Sequence, residues 1–259
     1  MPAALPQRGR LFYWPILCNP RRMTSAKDLE ALIRHAEAYP TSARRAPGYT
    51  ARARCGRSGG CGKGRVLVIA AGSNAAPARL AANFRDRPAT TVPVTRAHLC
   101  NYAAVYAAHF ALYGALPATL HRAAGAAREV LLTWLTPPQL ACMHASEGVG
   151  SRYDDVELDR LAFEVDGVGT IDAAGAYVGR NGALVDGAGP VRLAAVPAQG
   201  CTLPAATQPL MLRAAHVRLA PTWPYRRFMG RILRSLRYRA QASTALARSA
   251  IRWTTVEPP

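Results

Sequence analysis

The chain has 259 residues, of which 50% are hydrophobic, so it is long and apolar enough to bury a core, and wholesale disorder is excluded. Its formal net charge of +18 is unevenly spread. Residues 1–65 carry 13 Lys and Arg against 3 Asp and Glu, residues 213–259 carry 10 against 1, and residues 66–212 carry 10 against 11. This pattern predicts a near-neutral folded middle flanked by two basic arms.

The six cysteines are scattered without a dense framework, which favours a reduced, cytoplasmic setting over a secreted one. The apolar run from Leu11 to Cys18 is short and contains Pro15, so we expect no transmembrane segment and no signal-peptide core. Basic arms give weak, salt-sensitive affinity for polyanions, but nearly all the cations are arginine, which GC-rich coding also produces. We therefore expect no nucleic-acid partner, and the sequence does not indicate an oligomeric state.

The first predicted domain, residues 1–64, is a basic and largely irregular arm with one short helix. Ser25 or Thr24 can cap that helix over residues 26–38, where apolar residues recur at helical spacing. From Tyr39 to Gly64 the chain is rich in Pro, Gly, Ser and Arg without apolar periodicity. That composition indicates a linker or a disordered segment.

The second predicted domain, residues 65–212, begins with a continuous apolar run, Val66–Ala71, which is typical of a buried strand. A Gly72-Ser73-Asn74 turn follows the strand, and a helix is expected from Pro77. Further extended segments, with glycine-rich turns between the later ones, are expected at residues 90–95, 117–120, 129–135, 155–158, 170–177 and 191–196.

The third predicted domain, residues 213–259, is a basic helical extension. A helix over Trp223–Tyr238 has Phe228, Ile232 and Leu233 on one face and arginines on the other. Such a helix can cover the core, lie on a membrane surface or bind a partner. The last dozen residues are expected to fray.

A helix that ends at Glu147 has an unusual terminus. Thr136 and two prolines are suited to its first turn, and Gly148 is suited to the residue just past its end. The negative C-terminal end of a helix disfavours a carboxylate and favours its protonated form. Glu147 is therefore suited to accept and return a proton, with a solvated surface glutamate as the alternative.

The Gly72-Ser73-Asn74 turn follows a buried strand, and such a turn exposes successive backbone N–H groups that suit a carboxylate or an oxyanion. Other candidates fail. The glycines at 60–64 lack the spacing of a phosphate-binding loop, Cys55 and Cys61 lack a second ligand pair, and His144 with Glu147 lacks a third metal ligand. We therefore expect neither a metal nor a cofactor.

Five segments in order resemble the gamma-glutamylcyclotransferase-like family: Ala71–Asn74, Pro117–Leu120, Val130–Leu135, Met143–Gly148 and Tyr153. The resemblance covers roughly residues 65–200. It implies an α+β fold with a small mixed β-barrel and flanking helices, joined to basic, partly disordered N- and C-terminal arms.

The resemblance also implies a reaction and a site. Glu147 would be the catalytic acid and base, and Gly72, Ser73 and Asn74 would hold the gamma-glutamyl group of a small-molecule substrate. Tyr153 would hydrogen-bond the substrate carboxylate, with a half-buried structural aromatic as the alternative. The implied reaction is the intramolecular aminolysis of a gamma-glutamyl compound, or a gamma-glutamylamine, releasing 5-oxoproline and a free amine.

Two departures from the family pattern keep alternatives open. Ala71 stands where the family has tyrosine, and His144 replaces an aspartate before the glutamate. Losing the tyrosine removes a wall of the pocket, so a different leaving amine or an absence of catalysis is open. The alternatives are a non-catalytic binding module of the same fold, using its basic arms on an acidic partner, and a metal-dependent hydrolase.

Overall fold

The structure, a computed structural model, describes residues 25–40, 64–70, 80, 83–84, 92–158, 163–165, 169–187 and 189–254. Within these ranges it contains the following five helices: α1 Ala26–Glu37, α2 Pro137–Glu147, α3 Gln208–Leu219, α4 Tyr225–Arg234 and α5 Leu236–Ala247. The strands are β1 Val66–Ala70, β2 Val94–Tyr106, β3 Ala118–Leu135, β4 Tyr153–Leu158, β5 Phe163–Val165, β6 Gly169–Ile171, β7 Ala174–Gly179, β8 Val185–Asp186, β9 Gly189–Pro190, β10 Arg192–Leu193 and β11 Ala205–Ala206.

One mixed sheet joins nine of these strands. Seven follow the order β11-β10-β2-β3-β1-β7-β4, β5 pairs with β2, and β6 pairs with β5. The pairs β1–β7 and β10–β11 are parallel, and the remaining pairs are antiparallel. Strands β8 and β9 form a separate hairpin.

The long β2–β3 hairpin is the centre of the sheet and differs from the prediction of several short strands. A bulge at Asn101 lets β2 continue through a change of register, and the Asn101 side chain accepts a hydrogen bond from the Gly125 N–H at 3.0 Å. The alanine-rich middle of β3 has no clear two-residue alternation of apolar and polar residues. Backbone pairing between the strands therefore extends them beyond what side-chain pattern predicts.

The mixed α+β class is confirmed, but a closed barrel is not found in the described part of the chain. Pairing runs from β11 to β4, and these two end strands do not pair with each other. The edge of β2 that faces away from β3 pairs with β5 at Ala97 and with β10 at Val105. The sheet nevertheless curls, since Leu158 of β4 and Val165 of β5 belong to one apolar cluster with Ile69 of β1.

Four helices from both predicted arms pack together. Leu32 of α1, Leu212 of α3, Phe228 of α4 and Leu246 of α5 are buried in one cluster with Leu116 from the β2–β3 connection. Core packing is therefore the use that the structure shows for the C-terminal helices. We call α1 together with α3–α5 the helical layer.

Local sequence explains where two of these helices begin. Ser25 and Asp28 form a reciprocal capping box at the start of α1, as predicted for the helix over 26–38. The single helix expected over Trp223–Tyr238 is instead two helices, because Ser235 is extended and its hydroxyl accepts a hydrogen bond from the Tyr238 N–H. The domain boundary predicted at residue 212 falls inside α3.

The C-terminal segment is ordered further than expected. Ile251 exchanges two backbone hydrogen bonds with Ala183, and the Trp253 ring stacks on Tyr102 with centroids 6.0 Å apart. The prediction of fraying is therefore wrong for these residues, because each has a partner on the sheet. None of the helices in the described ranges has the length and apolar character needed to cross a bilayer.

Candidate functional site

Helix α2 positions Glu147. At its start, the Gln139 side-chain oxygen accepts hydrogen bonds from the Thr136 N–H at 2.8 Å and from the Arg65 guanidinium at 3.1 Å. At its end, Gly148 adopts the left-handed conformation with φ of 71°, as predicted for the residue after the helix. Glu147 is therefore the last helical residue, and its side chain is half-buried.

Arg152 caps this end of α2. Its Nε donates to the Glu147 carbonyl at 3.2 Å, and its Nη2 donates to the Ser146 carbonyl at 3.3 Å. A cation at this position offsets the negative end of the helix. Arg152 thus opposes a helix end that the sequence pattern predicts to be unopposed, although a basic residue close after a helix terminus is a recognisable signal.

Two tyrosines lie on the sheet next to Glu147. Tyr153 is buried, and its hydroxyl donates to the Ala118 carbonyl at 3.0 Å. Burial raises the pKa of Tyr153 well above its usual value, and the charge of Glu147 adds to the rise. Burial likewise raises the pKa of Tyr177, with smaller contributions from Asp155 and Glu147. Both phenols are therefore protonated at neutral pH, and the Glu147 charge acts on both.

A chain of polar contacts runs from Tyr177 toward solvent. The Tyr177 hydroxyl lies 3.2 Å from Nδ1 of His144, and Nε2 of His144 lies 3.7 Å from the Asp155 carboxylate. Burial raises the pKa of Asp155, and His144 opposes that rise. His144 thus contacts Tyr177 and Asp155, which the sequence analysis did not select. In the described ranges no three His, Cys, Asp or Glu residues form a group that could hold a metal ion.

His109 is a buried group that sequence reasoning also missed. Its side chain is 6% exposed, its ring meets Tyr153 edge-on at 5.4 Å, and its Nδ1 has no hydrogen-bond partner among the described residues. Burial, with a smaller contribution from the Arg152 charge, lowers the pKa of His109 from 6.5 to about 4. The imidazole is therefore neutral at physiological pH. The sequence signal that could have indicated this buried residue is a single histidine within the apolar run at 107–110.

The N-terminal segment reaches this region through Tyr39. That side chain is buried, its hydroxyl accepts a hydrogen bond from the Ala118 N–H at 2.9 Å, and its ring lies 6.1 Å from that of Tyr113. Tyr39 lies beyond the end of α1 in irregular chain, but its burial shows that the predicted linker or disordered segment does not include this residue. Residues 41–63 lie outside the described ranges. Tyr39 and Tyr153 thus hydrogen-bond to the two backbone groups of Ala118, its N–H and its carbonyl.

The predicted substrate-binding turn, Gly72, Ser73 and Asn74, lies outside the described residues. Strand β1 ends at Ala70 and runs parallel to β7, with Val68 opposite Gly175. Ala70 is therefore level with Tyr177. The roles predicted for Glu147 and Tyr153 stay predictions, and the structure brings the two residues together at one end of α2.

The fold and this site define a mixed α+β protein with a glutamate, an arginine, a neutral histidine and two protonated tyrosines in one region. Two Arabidopsis thaliana proteins of known solution structure are similar to this chain. The first is 15% identical with a TM-score of 0.36, over 47% of this chain and 73% of its own. The second is 16% identical with a TM-score of 0.33, over 47% of this chain and 66% of its own. No family model matches the chain, and no curated protein is significantly similar to it in sequence.

Proposed function

We propose that this protein is an enzyme of the gamma-glutamyl or gamma-glutamylamine cyclotransferase type, with Glu147 as its catalytic acid and base. The observation that carries the proposal is the position of Glu147, half-buried at the C-terminal end of α2, where Arg152 binds the last carbonyls and Tyr153 begins the next strand. In the proposal the sheet belongs to the small-barrel type of the gamma-glutamylcyclotransferase-like family, and the enzyme works in the cytoplasm.

The protonation states around Glu147 support this role. Tyr153 and Tyr177 keep their protons at neutral pH, and His109 stays neutral, so these three groups do not exchange protons readily near pH 7. The half-buried Glu147 side chain, whose charge adds to the rise in the pKa of both tyrosines, is suited to accept a proton from a substrate ammonium and to return it.

The proposed reaction follows from these groups. Glu147 takes a proton from the substrate α-ammonium, and the freed amine attacks the side-chain carbonyl carbon of the same molecule. The bond from that carbon to the leaving nitrogen then breaks as Glu147 returns the proton to that nitrogen. The second proton released by the attacking nitrogen passes to the freed amine, which leaves as its ammonium. Because nucleophile and electrophile belong to one molecule, the site needs to fold the substrate and move protons, without a cofactor.

Binding of the substrate is assigned to neighbouring groups. Backbone N–H groups of Gly72, Ser73 and Asn74 would hold the gamma-glutamyl group and the oxyanion. Tyr153 would turn its hydroxyl hydrogen from the Ala118 carbonyl to the substrate carboxylate, next to the positive charge of Arg152.

The test is 5-oxoproline release from gamma-glutamyl amino acids and gamma-glutamylamines. Glu147→Gln removes the proton acceptor while keeping the side-chain shape, so we expect kcat to fall by roughly 10²–10⁴-fold. Glu129→Gln is the matched control, since Glu129 lies in an exposed ion pair with Arg96 at 3.9 Å, and its rate should equal that of the wild type. Equal rates for wild type and Glu147→Gln would refute the assignment of Glu147.

A second candidate is a non-catalytic binding module of the same fold that uses its basic ends on an acidic partner. One observation favours it. The hydroxyls of Tyr39 and Tyr153 already form hydrogen bonds with the Ala118 N–H and carbonyl, so the protein's own side chains satisfy these backbone groups. A wild-type protein that releases no 5-oxoproline but binds an acidic polymer would support this alternative.

A further inference from the structure

The outward face of α4 carries a line of arginines. Phe228, Met229, Ile232 and Leu233 on its inner face are buried in the helical layer. Arg227, Arg231 and Arg234 are exposed and follow the i, i+4, i+7 spacing of one helix face. We call these three residues the arginine row. The α-helical rise of 1.5 Å per residue spreads them over about 10 Å along the helix axis.

Two arginines of the row lie over aromatic rings. The Arg227 guanidinium lies 4.7 Å from the centroid of the Trp223 ring, and the Arg231 guanidinium lies 5.7 Å from that of Tyr238. The Trp223 and Tyr238 rings stack on each other, with centroids 5.6 Å apart and planes 17° apart. A stacked guanidinium keeps its in-plane N–H donors, and the ring restricts its motion, so its donors are pre-organised for an anion.

The row has no internal counter-charge. Residues 208–254 contain no Asp or Glu, and within the described ranges no ion pair involves Arg227, Arg231 or Arg234. The neighbouring Arg226, on the side of α4 toward α1, pairs with Glu30 at 3.6 Å. The positive charge of the outward face is therefore open to an external anion.

Contrary to the expectation from the sequence, we propose that the arginine row binds the phosphodiester backbone of a nucleic acid. Planar guanidiniums bind phosphate oxygens through paired N–H donors, and a line of them matches a polymer with regularly repeated charges. A bilayer surface fits less well, because membrane-binding helices turn apolar side chains outward and those of α4 are buried in the core. This inference is independent of the cyclotransferase proposal.

The test measures binding of the full chain to a 20-nucleotide single-stranded RNA and to a duplex DNA of equal length, by fluorescence anisotropy between 50 and 200 mM salt. If all three arginines contact phosphates, the row accounts for a salt slope of about −2 on the single strand and about −3 on the duplex. The triple variant Arg227→Ala, Arg231→Ala, Arg234→Ala should lose that part of the slope. As the salt rises from 50 to 200 mM, the contribution of the row to the wild-type binding constant should fall about 20-fold for RNA and about 40-fold for DNA.

A matched control separates the row from net charge. Arg218, Arg248 and Arg252 are exposed arginines outside the row, so changing these three to alanine removes the same charge. The control should keep affinity within about twofold and nearly the full slope. Equal losses in the two triple variants would overturn the proposal, because binding would then depend on charge alone.

A third variant tests the stacked geometry. Replacing the three row arginines by lysine keeps the charge and removes the planar, stacked donors, so we expect weaker binding with an unchanged salt slope. Lysine variants that bind as tightly as wild type would overturn the role of stacking. Stronger binding to phosphatidylserine vesicles or to polyglutamate than to either nucleic acid would overturn the assignment of the partner.

Discussion

Around Glu147, ionisable side chains are half-buried or buried and contact one another, whereas the arginines of α4 are exposed and contact aromatic rings. In the first region Tyr153, Tyr177 and His109 have pKa values moved by burial, so each keeps one protonation state near neutral pH. In the second region, the arginines of the row are exposed to solvent.

This difference shows that buried ionisable groups suit proton transfer, whereas exposed charges suit the binding of a polyanion. Where water is excluded, a neighbouring charge strongly changes the free energy of protonation, which suits proton transfer. Where side chains are solvated, each charge contributes modestly, and several in a line are needed to bind a polyanion. The near-neutral middle of the chain thus contains the buried ionisable groups, and its basic C-terminal part contains the exposed arginines.

The largest expected effect tests whether the basic C-terminal part is an appendage or belongs to the core. Phe228 is fully buried and contacts the rings of Phe110, His216 and Tyr238. Phe228→Ala should lower the free energy of unfolding by about 3–5 kcal/mol in denaturant titration, because it leaves a cavity. Leu236→Ala is the control, since Leu236 is 67% exposed, and it should change stability by less than about 0.5 kcal/mol. A loss below about 1 kcal/mol for Phe228→Ala would indicate a detachable appendage.

The next effect sharpens the contrast in protonation. His109 titrates near 6.5 when unfolded and at about 4 when folded, so between these values the unfolded chain binds more protons and stability falls as the pH falls. Its contribution is fully present above pH 6.5, and about 2 kcal/mol of it should be lost between pH 7.5 and pH 5. His109→Leu should remove that part of the decline in unfolding free energy, whereas His98→Leu at an exposed position should retain it. An identical decline in the two variants would contradict the burial argument.

The smallest effect isolates the arginine that caps α2. A Cβ on Gly148 would lie 2.7 Å from the Arg152 guanidinium, while a Cβ on Gly150 would meet open space, and both glycines have positive φ. Gly150→Ala therefore measures the backbone strain, roughly 1–2 kcal/mol. Gly148→Ala should cost about 0.3–1 kcal/mol more, because Arg152 must leave the carbonyls of Ser146 and Glu147. Equal losses of unfolding free energy for the two variants would show that the cap contributes nothing measurable.

Part of the site could be predicted from the sequence because it depends on local signals. Helix α2 ends at Glu147 since Gly148 can adopt the left-handed conformation, and that interaction lies within one turn of the helix. The neighbourhood of Glu147 could not be predicted in the same way. His109 comes from the β2–β3 connection, Ala118 from β3 and Tyr177 from β7. No local pattern marks which of these residues meet.

From the sequence alone we predict the α+β class, the capped starts of α1 and α2, and the concentration of positive charge toward the ends. The tertiary structure adds that the β2–β3 hairpin forms two long strands, that the sheet does not close within the described residues, and that Tyr39 meets Ala118. The physical reason is distance along the chain. Caps and helical spacing act over about four residues, whereas strand pairing and burial join residues far apart in sequence, whose contacts no local propensity specifies.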